Sequence, residues 1–383
     1  MNILQALFFP PEQPGGVSSM VPYIQERFNK LGWPMELFSL PRRVRGKGQE
    51  PVSFETFDIA NYEGNPIIDK YLQTYRDYVW WTKLRIKKNY DVIHAHHPIS
   101  ALVMKQLYPD TPLVMTIHSS FERELILNGR IVEGGMEHRF LTGIYRELEA
   151  KTDRILTPSE SFRAYLRPYV NDADRIQVIP NGFDEKRFKP ISHENAVVQL
   201  ITVCRLVPAK GLDVLLRACA ELKARGHNFV LHIIGDGPSR QELEQLALDL
   251  NLYDDIIFYG YMLHPEEFMP FFDVFVLPSR AEAFGSVFAE AALCWLALVG
   301  TNVGGISEQI DDGVNGLLVE PENPTALCNA LEKVVSDQDY RYNMARAAWN
   351  KAKKVYSLQR VIAQLRQVYT EINPNPVLPE QGE

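Results

Sequence analysis

Two carboxylates flank a short run of residues that could bind an anionic, polyhydroxylated ligand. Glu282 and Glu290 enclose Phe284-Gly285-Ser286-Val287, and the whole motif follows an apolar run at residues 274–277. Gly285 to Val287 are predicted to open a helix, whose free N–H groups attract anions. A carboxylate accepts hydrogen bonds from vicinal hydroxyls, so the two could hold two rings of one ligand. The structural alternative is a first-turn acid favoured by the helix dipole at Glu290 and a solvated loop residue at Glu282.

Two cations stand earlier in the same half of the chain. Arg205 follows a predicted strand at 200–204, and Lys210 precedes a predicted helix at 211–225. Cations at a strand end and a helix start can clamp a diphosphate, although either residue by itself is typical of a surface cation. Their common position favours a phosphate site.

Three further loops lie at predicted strand ends. Gly15-Gly16 could let the backbone approach a ligand, or could form an ordinary tight turn. His118 follows the strand at 113–117 and could donate to a sugar hydroxyl or to a developing charge. Gly235 opens a bare turn against which a flat base could lie. His94, His96 and His97 follow another strand and are interpreted mainly as loop-packing residues.

These loops need elements to position them, and strands and helices alternate throughout the chain. Strand-then-helix repetition predicts parallel sheets covered by helices on both faces. The repetition restarts after Pro180-Asn181-Gly182, so we predict an α/β protein of two Rossmann-like, doubly wound domains facing each other across a cleft. They span residues 1–190 and 191–356, with a helix at 357–371 packing back on the first. Strands are predicted at 3–9, 35–40, 92–94, 113–117, 154–157, 176–179, 200–204, 229–234, 256–259, 274–277, 298–300 and 317–319.

Composition excludes several classes of protein. The chain has 383 residues and a net charge of −8, which argues against general nucleic-acid binding. Its longest apolar run, residues 291–299, is too short to span a bilayer, and the N-terminus is interpreted as a first strand, not a signal peptide. Four scattered cysteines argue against disulfides and structural zinc and favour a reducing cytoplasm. Neither a Gly-x-Gly-x-x-Gly fingerprint nor a phosphate-binding P-loop occurs, which weakens hydride-transfer and kinase-like readings.

Charge is divided unevenly between the halves. Residues 1–190 carry a net charge of +2 and residues 191–383 a net charge of −10. The basic residues of the first half form two clusters, which are either solvated faces or a surface for an anionic partner such as a lipid headgroup or lipid diphosphate. The clusters are Arg42, Arg43, Arg45 and Lys47, and Lys83, Arg85, Lys87 and Lys88.

Taken together, the motifs resemble the retaining family 4 glycosyltransferases of the GT-B fold over nearly the whole chain. The resemblance rests on the order and spacing of many modest elements. They are Gly15-Gly16, the strand end at 91–96, Thr116-Ile117-His118, the segment 178–184, Arg205 to Lys210, 234–237, 277–279, Glu282 with Glu290, 301–305 and 312–316.

The resemblance implies transfer of a sugar from a nucleotide diphosphate sugar, with retention at the anomeric carbon. It implies that Gly16 approaches the diphosphate, that Arg205 and Lys210 neutralise it, and that His118 contacts the donor sugar. Glu282 would hold sugar hydroxyls and Glu290 the ribose, so His118, Arg205, Lys210 and Glu282 are the expected catalytic residues. The expected donor-binding residues are Gly15, Gly16, Gly235, Tyr261, Met262, Phe284, Gly285, Ser286, Val287 and Glu290.

Two departures from the family pattern stand near this motif. Trp295 and Ala297 replace the usual Gly and Pro, which predicts altered packing behind the nucleotide site. Ala283 replaces the usual Gly, which predicts a tighter loop over the donor and leaves the donor preference open. No metal or cofactor is expected, because cations can substitute for Mg²⁺ at the diphosphate.

The favoured function is a cytoplasmic hexosyltransferase of polysaccharide or glycolipid synthesis, in peripheral contact with the inner face of the membrane. It would use a nucleotide sugar such as UDP-glucose and a glycan or lipid-linked acceptor. The UDP preference follows the family's commonest donor. Alternatives are a sugar-nucleotide 2-epimerase or phosphorylase on the same fold, and a non-catalytic sugar-binding protein.

Overall fold

The computed structural model describes residues 1–8, 10, 16–41, 43–62, 64–191 and 195–374. The chain divides into two compact units, Met1–Pro180 with Gln359–Glu383, and Asn181–Leu358. The boundary lies ten residues before the predicted one, because Phe183 and Phe188 are buried in the core of the second unit.

The first unit contains a six-stranded, fully parallel sheet. Its spatial order is β2-β1-β3-β4-β5-β6. Every residue of β1, β3 and β4 is buried, as expected for strands with both faces covered by helices. The strands are β1 (Ile3–Ala6), β2 (Met35–Phe38), β3 (Val92–Ala95), β4 (Leu113–Thr116), β5 (Arg154–Thr157) and β6 (Ile176–Val178). The helices are α1 (Gly16–Lys30), α2 (Pro66–Arg85), α3 (Pro98–Leu107), α4 (Phe121–Leu127), α5 (Met136–Lys151) and α6 (Glu160–Leu166).

The second unit repeats this plan. Its sheet is also parallel, in the order β12-β11-β10-β7-β8-β9. The strand order reverses beside β7, and ligands of doubly wound sheets bind at the carboxyl ends of the strands at such a point. The strands are β7 (Val198–Val203), β8 (Phe229–Ile234), β9 (Ile256–Gly260), β10 (Val274–Leu277), β11 (Ala297–Thr301) and β12 (Leu317–Val319). The helices are α7 (Leu212–Ala224), α8 (Arg240–Asp249), α9 (Ser286–Leu293), α10 (Ile306–Gln309), α11 (Pro324–Ser336) and α12 (Gln338–Val355).

The last helix, α13 (Leu358–Ile372), returns the chain to the first unit. Its Tyr369 is fully buried there, and the hydroxyl lies 2.6 Å from Nδ1 of His94 and 3.2 Å from Nε2 of Gln5. The preceding helix α12 instead contacts α9 and β11 of the second unit. No helix among the described residues is both long and apolar enough to cross a membrane.

The segment between β2 and α2 is irregular and is held by two buried carboxylates. Asp77 on α2 accepts the backbone N–H groups of residues 46–48 at 2.8–2.9 Å. Glu147 on α5 accepts the N–H groups of Glu55 and Thr56 at 2.9–3.0 Å. Each carboxylate thereby satisfies backbone donors that no strand or helix partner serves.

Trp295 takes a left-handed turn between α9 and β11, with φ +68°. Such a backbone conformation is costly for any residue other than glycine. The indole packs edge-on against Tyr342 and Trp349 of α12, at centroid distances of 5.3 and 6.1 Å. These contacts account for a tryptophan at a position where the family usually has glycine.

Candidate functional site

Lys210 and Glu282 form an ion pair beyond the carboxyl ends of β7 and β10. Lys210 ends a 3₁₀ turn, Pro208–Lys210, and its Nζ donates to Oε1 of Glu282, which lies in the loop between β10 and α9. The hydroxyl of buried Ser279 donates to the same oxygen at 3.0 Å. The two charged side chains are only 20% and 13% exposed. Their sequence separation of 72 residues is bridged because β7 and β10 are neighbouring parallel strands.

The charge on Lys210 is maintained by its partner. Burial lowers the pKa of Lys210, but the charge of Glu282 and the hydrogen bond to it outweigh burial and raise that pKa above its usual value. The exposed Arg205 acts in the opposite direction, since its positive charge lowers the pKa of Lys210. Two cations therefore lie close enough to repel each other, and an anion between them would relieve that repulsion.

The amino terminus of α9, which begins four residues after Glu282, offers backbone N–H donors. Gly285 is the N-cap residue, with φ +80°, and has no side chain with which to cap the N–H groups that follow. Nε2 of Gln309 donates hydrogen bonds to the carbonyl oxygens of Phe284 and Gly285. Ser286, the first helical residue, accepts a hydrogen bond through its hydroxyl from Nδ2 of Asn181 at 2.9 Å. This helix start is thus fixed in place while its first amides remain uncapped by a side chain.

Close backbone packing holds the Glu282 loop. Gly304 has φ +49°, and a Cβ there would lie 1.7 Å from the carbonyl oxygen of Glu282. The N–H of Gly305 donates to that same oxygen at 3.3 Å. Gly304 and Gly305 therefore allow the backbone after β11 to pack closely against the carbonyl group of Glu282.

Glu290 lies on α9 beside a second charged pair. Burial, and then the negative charge of Glu266, raise the pKa of Glu290 to about 7, while Arg187 opposes this increase. Glu266 is itself paired with Arg187. Glu290 is therefore a half-buried carboxyl group that titrates near neutral pH.

Three of the expected donor-binding residues, Gly235, Tyr261 and Met262, lie at the ends of β8 and β9. The N–H of Gly235 donates to the carbonyl of Gly260 at 2.8 Å, which joins the two strand ends. Gly235 has φ +138°, and a Cβ there would lie 1.8 Å from the carbonyl oxygen of Cys204. Tyr261 is 51% exposed and Met262 is packed partly against the core. Gly235, Tyr261 and Met262 thus share one edge of the second sheet.

His118 belongs to the first unit, where it joins a network of histidines. Its Nε2 lies 2.9 Å from Nδ1 of His96, and the two rings are stacked. Nε2 of His96 lies 2.5 Å from Oε1 of Gln5. Because Nδ1 of His118 is buried, a sugar hydroxyl could reach a ring nitrogen only if these contacts rearranged. His96, interpreted from sequence as a packing residue, is the residue that orients His118.

Gly16, the first residue of α1, also belongs to the first unit, and Gly15 lies outside the described residues. The second unit contains the other expected site residues, namely Arg205, Lys210, Gly235, Tyr261, Met262, Glu282, Phe284, Gly285, Ser286, Val287 and Glu290. Within the described ranges, no group of three or more His, Cys, Asp or Glu side chains could hold a metal ion.

Several residues that shape the site were not selected from the sequence. Asn181 was noted only as part of a motif, and Ser279, Arg280 and Gln309 were not assigned a role. Ser279 had a usable signal, since a hydroxyl two residues after a core strand is expected to be buried and to need a hydrogen-bond partner. The role of Gln309 had no such signal, because it acts on backbone carbonyls 24 and 25 residues away.

The family profiles of known proteins match both units. Residues 14–187 match "Glycosyltransferase Family 4" and residues 183–351 match "Glycosyl transferases group 1". A D-inositol 3-phosphate glycosyltransferase of Paenarthrobacter aurescens is 30% identical over 76% of this chain and 75% of its own length. That of Acidothermus cellulolyticus is 31% identical over 68% of this chain, and the match spans 62% of the relative's length.

Solved structures agree on the fold. A sucrose-phosphate synthase of Thermosynechococcus elongatus has a TM-score of 0.79 at 21% identity, covering 96% of this chain and 98% of that one. HepE of Anabaena, in complex with UDP-glucose, has a TM-score of 0.71 at 19% identity, covering 97% and 100%. The fold is that of the GT-B class. The chain belongs to glycosyltransferase family 4.

Proposed function

We propose that this protein transfers a hexose from a nucleotide diphosphate sugar to a glycan or lipid-linked acceptor, with retention at the anomeric carbon and without a metal ion. The observation that carries the proposal is the meeting of Lys210 with Glu282 at the strand-order switch of the second sheet. A cation for the diphosphate and a carboxylate for sugar hydroxyls are thereby present within one hydrogen bond of each other.

Each group has a role in this reaction. Lys210 and Arg205 stabilise the negative charge that grows on the diphosphate as the glycosidic bond breaks, in place of Mg²⁺. The amides of Ser286 and Val287 donate to the phosphate, as helix amino termini do. Glu282 accepts hydrogen bonds from the sugar, and Glu290 accepts them from the ribose. Gly235, Tyr261 and Met262 form the edge on which the base lies.

UDP-glucose is the first donor to test. HepE, which shares the fold, was solved with UDP-glucose, with UDP, and with UDP and glucose. Both relatives described above are named for D-inositol 3-phosphate, so an inositol phosphate should be tested as an acceptor beside glycans and lipid-linked sugars.

The acceptor side is proposed to contact an anionic membrane surface. Arg43, Arg45 and Lys47 are exposed, and Asp77 ties their loop to α2. The exposed cations at and after the carboxyl end of α2 are Lys83, Arg85, Lys87 and Lys88, of which Lys83 and Lys88 pair with glutamates. Sedimentation with phosphatidylglycerol vesicles, and none with phosphatidylcholine vesicles, is the expected result.

The reaction itself is tested by incubating the protein with UDP-, GDP- or ADP-glucose and, in turn, an inositol phosphate, a glycan or a lipid-linked sugar as the acceptor, with and without EDTA. We expect nucleotide release that survives EDTA, and an α-linked product by NMR. Lys210→Met should abolish turnover, whereas the matched control Lys223→Met, at a surface ion pair with Asp255, should retain it. Complete dependence on a divalent metal, a β-linked product or wild-type turnover by Lys210→Met would contradict the proposal.

A further inference from the structure

We infer that the Lys210–Glu282 ion pair makes the site reject a bare nucleoside diphosphate in favour of a nucleotide sugar. The inference rests on the proposed function. It assigns to the pair a role in donor selection and product release, beyond its role in sugar transfer.

The Lys210–Glu282 pair forms its hydrogen bonds within the protein. Nζ of Lys210 donates to Oε1 of Glu282, and Ser279 donates to the same oxygen. Both charged side chains are mostly buried, so each depends on the other for compensation of its charge. Any ligand that draws Lys210 onto its phosphates must compete with this pairing.

A bare diphosphate competes at a disadvantage. It supplies charge for Lys210 but no donor for Glu282, whose carboxylate would keep the hydrogen bond from Ser279 and lose its cation. Removing one partner of a buried pair is costly, because the other charge remains desolvated. Part of the binding energy of the diphosphate is therefore lost.

A nucleotide sugar avoids this cost. Its phosphates take Lys210 while its sugar hydroxyls donate to Glu282, so both members of the pair exchange one partner for another. After transfer the sugar hydroxyls leave with the acceptor. Glu282 then competes again for Lys210 and favours release of the diphosphate.

The test is calorimetric titration of the wild type and Glu282→Gln with UDP-glucose and UDP, with the GDP and ADP pairs run in parallel. The amide is uncharged and holds Lys210 far less strongly. We expect the variant to bind the bare diphosphate about tenfold more tightly than the wild type, and the nucleotide sugar less tightly. Wild-type affinity should be at least about tenfold higher for the nucleotide sugar.

Two control variants separate the effect from simpler ones. Glu320→Gln makes the same change in net charge at an exposed carboxylate of this unit, and should leave both affinities unchanged. Ser279→Ala removes the hydrogen bond to Oε1 of Glu282 without changing the net charge, and should not increase the affinity for the diphosphate.

The inference is overturned if Glu282→Gln binds the diphosphate no better than the wild type. If no nucleotide binds the wild type, the proposed function fails as well, which distinguishes the two failures. Should Glu282→Gln not fold, a crystal structure of the wild type with UDP decides. Lys210 on the phosphates and parted from Glu282 supports the inference, and an intact pair overturns it.

Discussion

The guanidinium of Arg280 forms a two-point ion pair with Asp213, from Nη1 to Oδ1 and from Nη2 to Oδ2, each at 2.9 Å. The backbone N–H of Arg280 also donates to the carbonyl of Ala209 at 2.8 Å. Ala209 and Lys210 are neighbours in the 3₁₀ turn, and Arg280 lies two residues before Glu282. Arg280 therefore joins the loop that carries Lys210 to the loop that carries Glu282.

Replacing Arg280 by Gln should weaken donor binding without removing any group that touches the donor. Loss of the charged hydrogen bonds to Asp213 should lower the free energy of unfolding by about 1–2 kcal/mol, because the pair is partly exposed. The Michaelis constant for the donor should rise several-fold more than kcat falls. Arg240→Gln, at a surface pair with Glu244, is the matched control, and equal effects of the two changes would refute a positioning role.

Gly304→Ala should be severely destabilising. The added methyl group would meet the carbonyl oxygen of Glu282 at 1.7 Å, in a backbone conformation that disfavours any side chain. We expect a loss of at least about 3 kcal/mol in chemical denaturation, together with loss of donor binding. Gly313→Ala also has a positive φ but adds its methyl group in open space, so it should cost only about 1 kcal/mol. Similar losses for the two variants would show that the contact with Glu282 is unimportant.

Glu290 should make the second unit less stable as the pH rises. Its pKa is about 7 in the folded chain against a usual value of 4.5, so the folded state binds the extra proton between those values. The protonated Glu290 therefore stabilises the folded state fully below about pH 4.5, and this contribution is lost as the pH rises through about 7. The free energy of unfolding of Glu290→Gln should therefore be about 2–3 kcal/mol higher than that of the wild type at pH 8, and equal to it near pH 4.5. Unfolding curves at both pH values test this, and a pH-independent difference would contradict it.

Acid should destabilise the first unit through His94. Burial, aided by the charge of His118, lowers the pKa of His94 to about 3, so below pH 6.5 only the unfolded chain readily gains this proton. The free energy of unfolding should fall by about 1.4 kcal/mol per pH unit for this group between pH 6 and 4. His94→Gln should reduce that slope, measured by denaturant titration.

The control for His94 is Thr116→Val, which removes the hydroxyl 2.7 Å from Nε2 of His94 and keeps the imidazole. It should lower stability at every pH and keep the slope. A steep slope in His94→Gln would show that other groups dominate acid unfolding.

The strands of both sheets were predictable because buried parallel strands are short, continuous apolar runs. The predicted strand at 113–117 is observed as Leu113–Thr116, and that at 274–277 as Val274–Leu277. The bounds of helix α3 were harder to predict, although His97-Pro98 carries a local signal, since Pro98 occupies the first turn and His97 caps the helix. There the apolar sequence gave little helical periodicity, because six of its ten residues are buried.

Contacts between distant residues could not be predicted from one sequence. Nothing local to Glu290 indicates that Glu266 and Arg187 set its pKa. In the same way, nothing local to Asp77 or Glu147 indicates that each accepts hydrogen bonds from backbone N–H groups about 30 or 90 residues earlier. Such partners are determined by the packing of the whole unit. Amphipathic periodicity indicates which face of a helix is buried, but not which residues it contacts.

The placement of Tyr369 on the last helix has a consequence for biosynthesis. Its hydroxyl completes the polar core around Gln5 and His94, yet the ribosome translates it only after the entire second unit. The nascent amino-terminal sheet therefore lacks the Tyr369 hydroxyl beside Gln5 and His94 until the second unit has been synthesised. We therefore expect the emerging chain to be prone to misfolding and aggregation until α13 docks.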